Sequence, residues 1–135
     1  MARWEFGMSQ KFGYLGAVLA GLSVAAGAFG AHSLKGIISV DMLVVFETAV
    51  RYQMYHALAL LVVGMRQHVP VRGLGVAGWC FVAGIVLFSG SLYVVALTSI
   101  RWAGAITPLG GIAFLIGWTT LAWNLWQQKG EREER

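Results

Sequence analysis

The stretch GLGVAGWCFVAGIVLFSGSLYVVALTSI, from Gly73 to Ile100, contains no charged residue and decides the fold. A helix needs about 20 apolar residues to cross a hydrocarbon core roughly 30 Å thick, so this stretch is long enough to span a bilayer. A membrane β-barrel would need alternating apolar and polar residues, and that alternation is absent. Because lipid offers no partner to an open strand edge, the stretch predicts a transmembrane helix.

Three more apolar stretches accompany it. The predicted spans cover residues 12–31, 42–65, 73–98 and 103–126, and a short charged tail follows at 127–135. Short connections place consecutive helices next to each other and antiparallel. The sequence therefore predicts one all-α domain, a four-helix transmembrane bundle. Residues 39–46 could be a separate interfacial helix or the first turns of the second span, and both Ser39 and Asp41 are suited to cap its start.

The composition supports a membrane location. Hydrophobic residues make up 58% of the chain and charged residues 12%, whereas a soluble protein has about 25% charged residues. Such a chain cannot cover a surface in water, so much of its apolar surface must face the lipid bilayer. The formal charge of +4 does not indicate nucleic acid as a partner, because the basic residues form no cluster or stripe.

The distribution of lysine and arginine predicts the orientation. Four spans put both termini and the second loop on one side, which carries Arg3, Lys11, Arg66, Arg72, Lys129, Arg132 and Arg135. The other side carries Lys35 and Arg101, with Arg51 if it is counted as loop. The positive-inside rule thus predicts a multi-pass protein of the inner membrane with cytoplasmic termini. The first span is longer than a secretory signal core and three spans follow it, so we expect it to be retained.

Small residues predict helix packing at two places. Gly13, Ala17, Gly21 and Ala25 stand four residues apart on one face of the first helix, where another backbone can approach closely. That partner could lie in the same chain or in another subunit. Near the start of the fourth helix, Thr107 and Pro108 predict a distorted first turn, and Gly110 and Gly111 favour close packing.

The second helix carries the polar residues that could form a site. Glu47 and Arg51 stand at i and i+4, the favourable order for an ion pair, and Tyr52 and Tyr55 fall within the same arc. Because charges in lipid are costly, such residues either face the bundle interior or reach the interface. The pair is therefore either part of a polar intramembrane site or a structural anchor that fixes the helix register.

The histidines do not predict a metal site. His56 lies about 22 Å from the start of the second helix, whereas His32 lies at the far end of the first span, so we expect the two at different depths. We expect His56 to be a hydrogen-bonded core residue, although a proton-relay role stays open. The third span carries Ser89, Ser91 and Tyr93, which could line the same polar interior as Glu47 and Arg51.

Long motifs in the chain resemble one family. GAFGAH, from Gly27 to His32, and FETAVRYQMYHA, from Phe46 to Ala57, closely resemble the small bacterial membrane family named domain of unknown function 423, whose eukaryotic relative is transmembrane protein 256. LFSGSLY, from Leu87 to Tyr93, and ITPLGG, from Ile106 to Gly111, resemble its later motifs in the same order. The resemblance implies a four-helix inner-membrane protein. It does not imply any biochemical activity, since the family is named for its unknown function. It points to the residues within the motifs, which are His32, Glu47, Arg51, Tyr52, Gln53, His56, Ser89, Ser91, Tyr93, Thr107 and Pro108.

Three classes of function remain compatible with the sequence. The sequence shows no pattern of a nucleophile–base pair, a metal-ligand set or a phosphate-binding loop. We therefore expect a non-enzymatic scaffold or accessory subunit of a larger membrane complex, without a cofactor. An oligomeric channel or transporter could instead use Glu47, Arg51 and His56 to line a polar path, which would need a homo-oligomer since four short helices rarely enclose a route. A third possibility is lipid, quinone or haem binding at the polar cluster.

Overall fold

The computed structural model describes residues 2–66 and 72–133, and these form four helical rods. The first rod is α1 (Ala2–Phe29), which runs on into a π-helical turn (Gly30–Leu34). The second rod is α2 (Val40–Met65). The third consists of α3 (Arg72–Gly84), a π-helical turn (Ile85–Ser89) and α4 (Gly90–Thr98). The fourth is α5 (Thr107–Glu133), preceded by a 3-10 turn (Arg101–Ala105). The prediction of an all-α fold is confirmed.

By length and composition, three helices in the described part of the chain can cross a membrane. They cover Gln10–Leu34, Gly73–Thr98 and Arg101–Gln127. The rod α2 is not among them, because charged and polar side chains in its middle turns, including Glu47, Arg51 and Gln53, reduce the apolar character of an otherwise long helix. The predicted count of four spans is thus supported for three helices.

The start of α2 resolves the question about residues 39–46. The helix begins at Val40, so this segment forms its first turns rather than a separate interfacial helix. Ser39 is the N-cap, and its hydroxyl accepts a hydrogen bond from the backbone N–H of Met42 at 3.3 Å. With its 26 residues, α2 is about 39 Å long, which exceeds the thickness of a hydrocarbon core.

The first two helices form a tight hairpin at Gly16. A Cβ atom on this glycine would lie 2.7 Å from the carbonyl oxygen of Ala57, so only glycine allows this approach. The predicted small-residue stripe lies on a different face. Within it Gly13 approaches Gly64, but Ala17, Gly21 and Ala25 are exposed and do not pack inside the chain. Sequence spacing identified small residues but not which face of α1 meets α2.

The last two rods pack closely because of a second glycine. A Cβ atom on Gly110 would collide with the backbone of Phe88, so α5 can lie directly on the π turn only with glycine here. At Gly111 a Cβ atom would find ordinary contact, 3.9 Å from the Phe88 ring. Pro108 is exposed in the first turn of α5, which is α-helical from Thr107, and a separate 3-10 turn (Arg101–Ala105) precedes it.

Two apolar clusters lie at opposite ends of the bundle. The larger one is built from residues of all four rods, including Phe12, Leu60, Phe81 and Phe114. The smaller cluster contains Leu34, Phe46 and Ala96, with Tyr93 packed against it. Buried polar side chains of the middle turns lie between the two clusters. They are Ser23, Gln53, His56, Ser89 and Ser91.

Both ends of the chain extend further as helix than the predicted spans do. The helix α1 begins at Ala2, ahead of residue 12, and α5 continues to Glu133, into the predicted charged tail at 127–135. Residues 134–135 of that tail lie outside the described part of the chain, and so do residues 67–71 of the predicted second loop.

Candidate functional site

The candidate site is the buried polar cluster in the middle of the bundle. Gln53 and His56 stand one turn apart on the inner face of α2, and their side chains are 6% and 5% exposed. Both stand in the FETAVRYQMYHA motif. A polar group buried at this depth requires a hydrogen-bond partner, because lipid and apolar side chains offer none. The partners come from the other three rods.

Gln53 joins three helices through its amide group. Its Nε2 donates to the carbonyl oxygen of Leu19 in α1 at 2.9 Å. Its Oε1 accepts from the hydroxyl of Tyr93 in α4, also at 2.9 Å. Each partner fits only one end of the amide, since a carbonyl accepts and a hydroxyl donates, so the orientation of the side chain is fixed. A further bond runs from the hydroxyl of Ser23 in α1 to the carbonyl of Val50 in α2 at 2.7 Å.

His56 joins α2 to α5, and its two ring nitrogens have different partners. Nδ1 lies 2.7 Å from the carbonyl oxygen of Tyr52, and Nε2 lies 3.1 Å from the indole Nε1 of Trp118. A carbonyl can only accept and an indole N–H can only donate. Nδ1 must therefore carry the proton and Nε2 the lone pair, which defines one neutral tautomer. The predicted hydrogen-bonded core histidine is what the structure contains.

Aromatic rings pack around His56, which is 5% exposed and also borders the open groove between α2 and α5. The imidazole is stacked on Phe114, with ring centroids 3.4 Å apart and planes inclined by 7°. Tyr52 is stacked on Phe88 of the π turn with centroids 4.5 Å apart. Phe81 closes the other side, with its centroid 5.8 Å from that of His56. With both ring nitrogens hydrogen-bonded, His56 has no free nitrogen for a metal or a haem iron.

The hydroxyls of the third rod form a separate pair with α5. Ser91 donates to the carbonyl of Phe88 at 3.0 Å and lies 2.6 Å from the hydroxyl of Thr107. Because Ser91 has one proton, Thr107 must be the donor in the second bond. Ser89, at the end of the π turn, is fully buried, and its hydroxyl has no hydrogen-bond partner in the described part of the chain. These side chains were expected to line one interior with Glu47 and Arg51, but Tyr93 bonds instead to Gln53, and the ion pair lies elsewhere.

Glu47 and Arg51 lie outside this cluster. They form the expected i,i+4 ion pair at 3.2 Å, but the side chains are 49% and 58% exposed. Arg51 is two residues from Gln53 and therefore about 160° away around the helix axis. The reading that placed this pair inside the bundle is wrong for the isolated chain, because the inner face of α2 is already occupied by Gln53, His56 and small apolar residues.

The remaining predicted residues are at the surface. His32 is exposed in the first π turn and has no contact with His56. Tyr52 and Tyr55 are 38% and 54% exposed, and they line an open groove of about 680 Å³ between α2 and α5. Phe114 and Trp118 form its opposite wall. Among residues 10–66 and 73–127, no three His, Cys, Asp or Glu side chains come together as metal ligands could.

Sequence reasoning missed several members of the cluster. Trp118 is the most important, since it is the partner of His56, and Ser23 and Phe114 were also overlooked. Trp118 did carry a signal. A tryptophan in the middle of a span, away from the interfacial belt, needs an acceptor for its indole N–H. An interfacial belt explains the tryptophans at the two ends of the fourth span without such a partner. They are Trp102, Trp123 and Trp126.

The arrangement is suited to holding helices together. Its bonds connect α2 to α1, α4 and α5, and each polar atom of Gln53 and His56 that could take part in chemistry is used for this purpose. Among the residues that the structure describes, no carboxylate or hydroxyl nucleophile is hydrogen-bonded to the imidazole. The polar side chains outside this cluster include the exposed Glu47 and Arg51 on the outward face of α2.

Comparison with known proteins identifies the family. Residues 26–111 match the family described as "Protein of unknown function (DUF423)". The UPF0382 membrane protein YwdK of Bacillus subtilis (strain 168) is 54% identical over 107 residues, which cover 77% of this chain and 86% of that protein. A UPF0382 membrane protein of Staphylococcus aureus (strain bovine RF122 / ET3-1) is 51% identical, covering 79% of this chain and 88% of its own length. A third, from Staphylococcus haemolyticus (strain JCSC1435), is 50% identical with the same coverage.

No solved structure matches the chain. The curated relatives are named as membrane proteins, and three of the four rods have the length and composition of membrane spans. The sequence resemblance noted above is thereby confirmed. The chain is an integral membrane protein and belongs to the DUF423 family.

Proposed function

We propose that this protein is a non-enzymatic accessory subunit or scaffold that packs against another polypeptide within the membrane. The observation that carries the proposal is the exposed ion pair of Glu47 and Arg51. These residues lie about 10 and 16 Å along α2 from its start at Val40, so Arg51 is close to the middle of a helix about 39 Å long. A charged pair that faces outward at this depth is costly in lipid and is favourable against another protein or water.

The topology that accompanies this proposal has four spans and cytoplasmic termini in the inner membrane. The rod α2 is too polar to count as a span by composition, but it is long enough. It forms a tight hairpin with α1, which is itself a candidate span. The excess of lysine and arginine at the termini and in the second loop favours the cytoplasmic side for these segments.

The outward face of α2 defines where the partner would pack. Glu47, Arg51 and Leu58 point in about the same direction at 100° per residue, and all three are exposed. Thr48 lies beside them, and its hydroxyl donates to the carbonyl of Val44 at 2.8 Å, so this donor is paired within the helix. A partner helix would need a small or polar face to match it.

Native mass spectrometry of discs cut directly from native membranes tests this proposal. The wild type is expected to leave the membrane with a second polypeptide, and the double variant Glu47→Leu/Arg51→Leu is expected to lose it. A variant at the exposed cation of the first connection, Lys35→Leu, provides the control, since Lys35 does not belong to the outward face of α2. Bare monomers of the wild type in such discs would contradict an accessory role.

A ring of identical chains that encloses water is the second candidate function, because the same outward face would line the path. The test is proton or ion flux in liposomes that contain the purified protein. Flux that disappears with Glu47→Gln would favour the channel over the accessory subunit. Absence of flux, with a different polypeptide found in the discs, would favour the accessory subunit.

A further inference from the structure

An apolar groove runs along the surface between α2 and α5. Its inner half, of about 680 Å³, is the groove of Tyr52, Tyr55 and Trp118 described above. Its outer half has about 570 Å³ and is lined by apolar side chains such as Val45, Leu92 and Val95. Phe88 and Pro108 border both halves, so the two halves adjoin at these residues. Between Thr107 and Trp118 the groove extends about 16 Å along α5.

A single cation stands at the outer end of this groove in the described part of the chain. Arg101 lines the outer half, and its guanidinium makes no hydrogen bond or ion pair with any described residue. Thr107, the other polar side chain of this half, already bonds to Ser91. The groove therefore offers an unpaired positive charge at one end and apolar walls along the rest of its length.

The position of Arg101 matches the headgroup region of a bilayer. It lies in the 3-10 turn between α4 and α5, where the chain reverses at the end of the bundle. Trp102 beside it is 73% exposed, and tryptophan concentrates at the membrane interface. An arginine at this level is within reach of phosphate oxygens, which its fork of N–H groups binds in bidentate fashion.

We propose that this groove is a binding site for an anionic phospholipid of the surrounding bilayer. The phosphate is held by Arg101, and one acyl chain lies along the groove, past Phe88 and Pro108, to the aromatic walls of its inner half. Each buried methylene contributes favourably through the hydrophobic effect and through contact with the walls. The unpaired guanidinium adds a preference for an anionic headgroup over a zwitterionic one.

The headgroup part is tested by native mass spectrometry of the purified protein released from nanodiscs of equal phosphatidylglycerol and phosphatidylcholine. The wild type is expected to retain phosphatidylglycerol in preference, and Arg101→Gln is expected to reduce that preference about fivefold. The matched control is Lys35→Gln, which removes an exposed cation at the same end of the bundle but outside the groove. Equal retention of the two lipids by the wild type, or an unchanged preference in Arg101→Gln, would overturn the proposal.

The acyl-chain part is tested by filling the groove. Gly111 lines the inner half, and a Cβ atom there finds ordinary contact with Phe88, so Gly111→Leu is expected to fold and to occupy the path of the chain. The control is Gly90→Leu, since Gly90 has open space around it and lies outside both halves of the groove. Loss of bound phosphatidylglycerol in Gly111→Leu alone is the expected result. Wild-type retention by Gly111→Leu would show that the lipid does not lie in this groove.

Discussion

The indole Nε1 of Trp118 donates a hydrogen bond to the Nε2 of His56 over 3.1 Å, and this bond joins the middle of α5 to the middle of α2. It acts together with the bond from His56 to the carbonyl of Tyr52, which leaves only the tautomer with a lone pair on Nε2. Few side chains connect these two helices so directly, because the open groove separates them on the outer side. The pair therefore links α2 and α5, the two walls of the groove.

Replacing Trp118 by phenylalanine removes the donor and keeps an aromatic ring. We expect Trp118→Phe to lower the free energy of unfolding by about 1 kcal/mol, the size of a hydrogen bond between helices in a bilayer. In a double-mutant cycle the loss should largely vanish in a His56→Ala background. The measurement is reversible unfolding in mixed micelles, with Trp123→Phe on the exposed side of α5 as control. The same loss in both backgrounds would mean that the bond contributes nothing.

Alanine substitutions at two glycines of α1 are expected to change the stability of the protein differently. Gly16→Ala should destabilise the fold, because its Cβ atom would lie 2.7 Å from the Ala57 carbonyl oxygen and the backbones must separate. Gly21→Ala meets open space, so it should be neutral or should stabilise the protein by up to about 1 kcal/mol through higher helix propensity. The measurement is the free energy of unfolding of each purified variant, compared with that of the wild type. A destabilising Gly21→Ala would indicate that this face packs against a second copy.

Removal of the outward ion pair should impair assembly with a partner polypeptide without lowering the stability of the purified chain. In the purified chain the exposed pair faces detergent and lies outside the buried cluster, so Glu47→Leu/Arg51→Leu should have a free energy of unfolding equal to or higher than that of the wild type. Removing one charge alone leaves the other without its partner, and the single variants should therefore be more harmful than the double variant within a membrane assembly. Thermal unfolding of the purified protein tests the expected effect on stability. The level of each variant in cells tests the expected effect on assembly. Loss of stability in the purified double variant would point to a structural anchor instead.

The helices and the family could be read from the sequence, because length, apolar composition and long motifs are local properties. The face that each helix turns inward could not. Ten residues of α2 contain four polar side chains, Glu47, Arg51, Gln53 and His56. The free-energy cost of exposing a polar group to lipid applies to all four, so it does not show which of them face the interior. Gln53 and His56 face inward because Leu19, Tyr93 and Trp118 supply partners from three other rods. Those partners are distant in sequence, so no local pattern reveals them.

The small residues illustrate the same limit. Gly13, Ala17, Gly21 and Ala25 have the spacing of a packing face, yet Gly16 makes the closest approach to α2. Two faces of α1 carry small residues, and the choice between them depends on the buried partners Phe12 and Ser23, which lie on the side of Gly16. The exposed stripe remains a prediction for contact with another subunit.

The measurement that tests the central claim most directly is photocrosslinking in native membranes from α2. A photoreactive phenylalanine analogue at Leu58 stands on the face of Glu47 and Arg51, whereas the same analogue at Val86, which is also exposed, stands on the π turn of the third rod. A covering polypeptide predicts a discrete crosslinked protein band from Leu58, lost in the Glu47→Leu/Arg51→Leu background, and no band from Val86. Adducts with lipid alone from both positions would contradict the claim that another protein covers the outward face of α2.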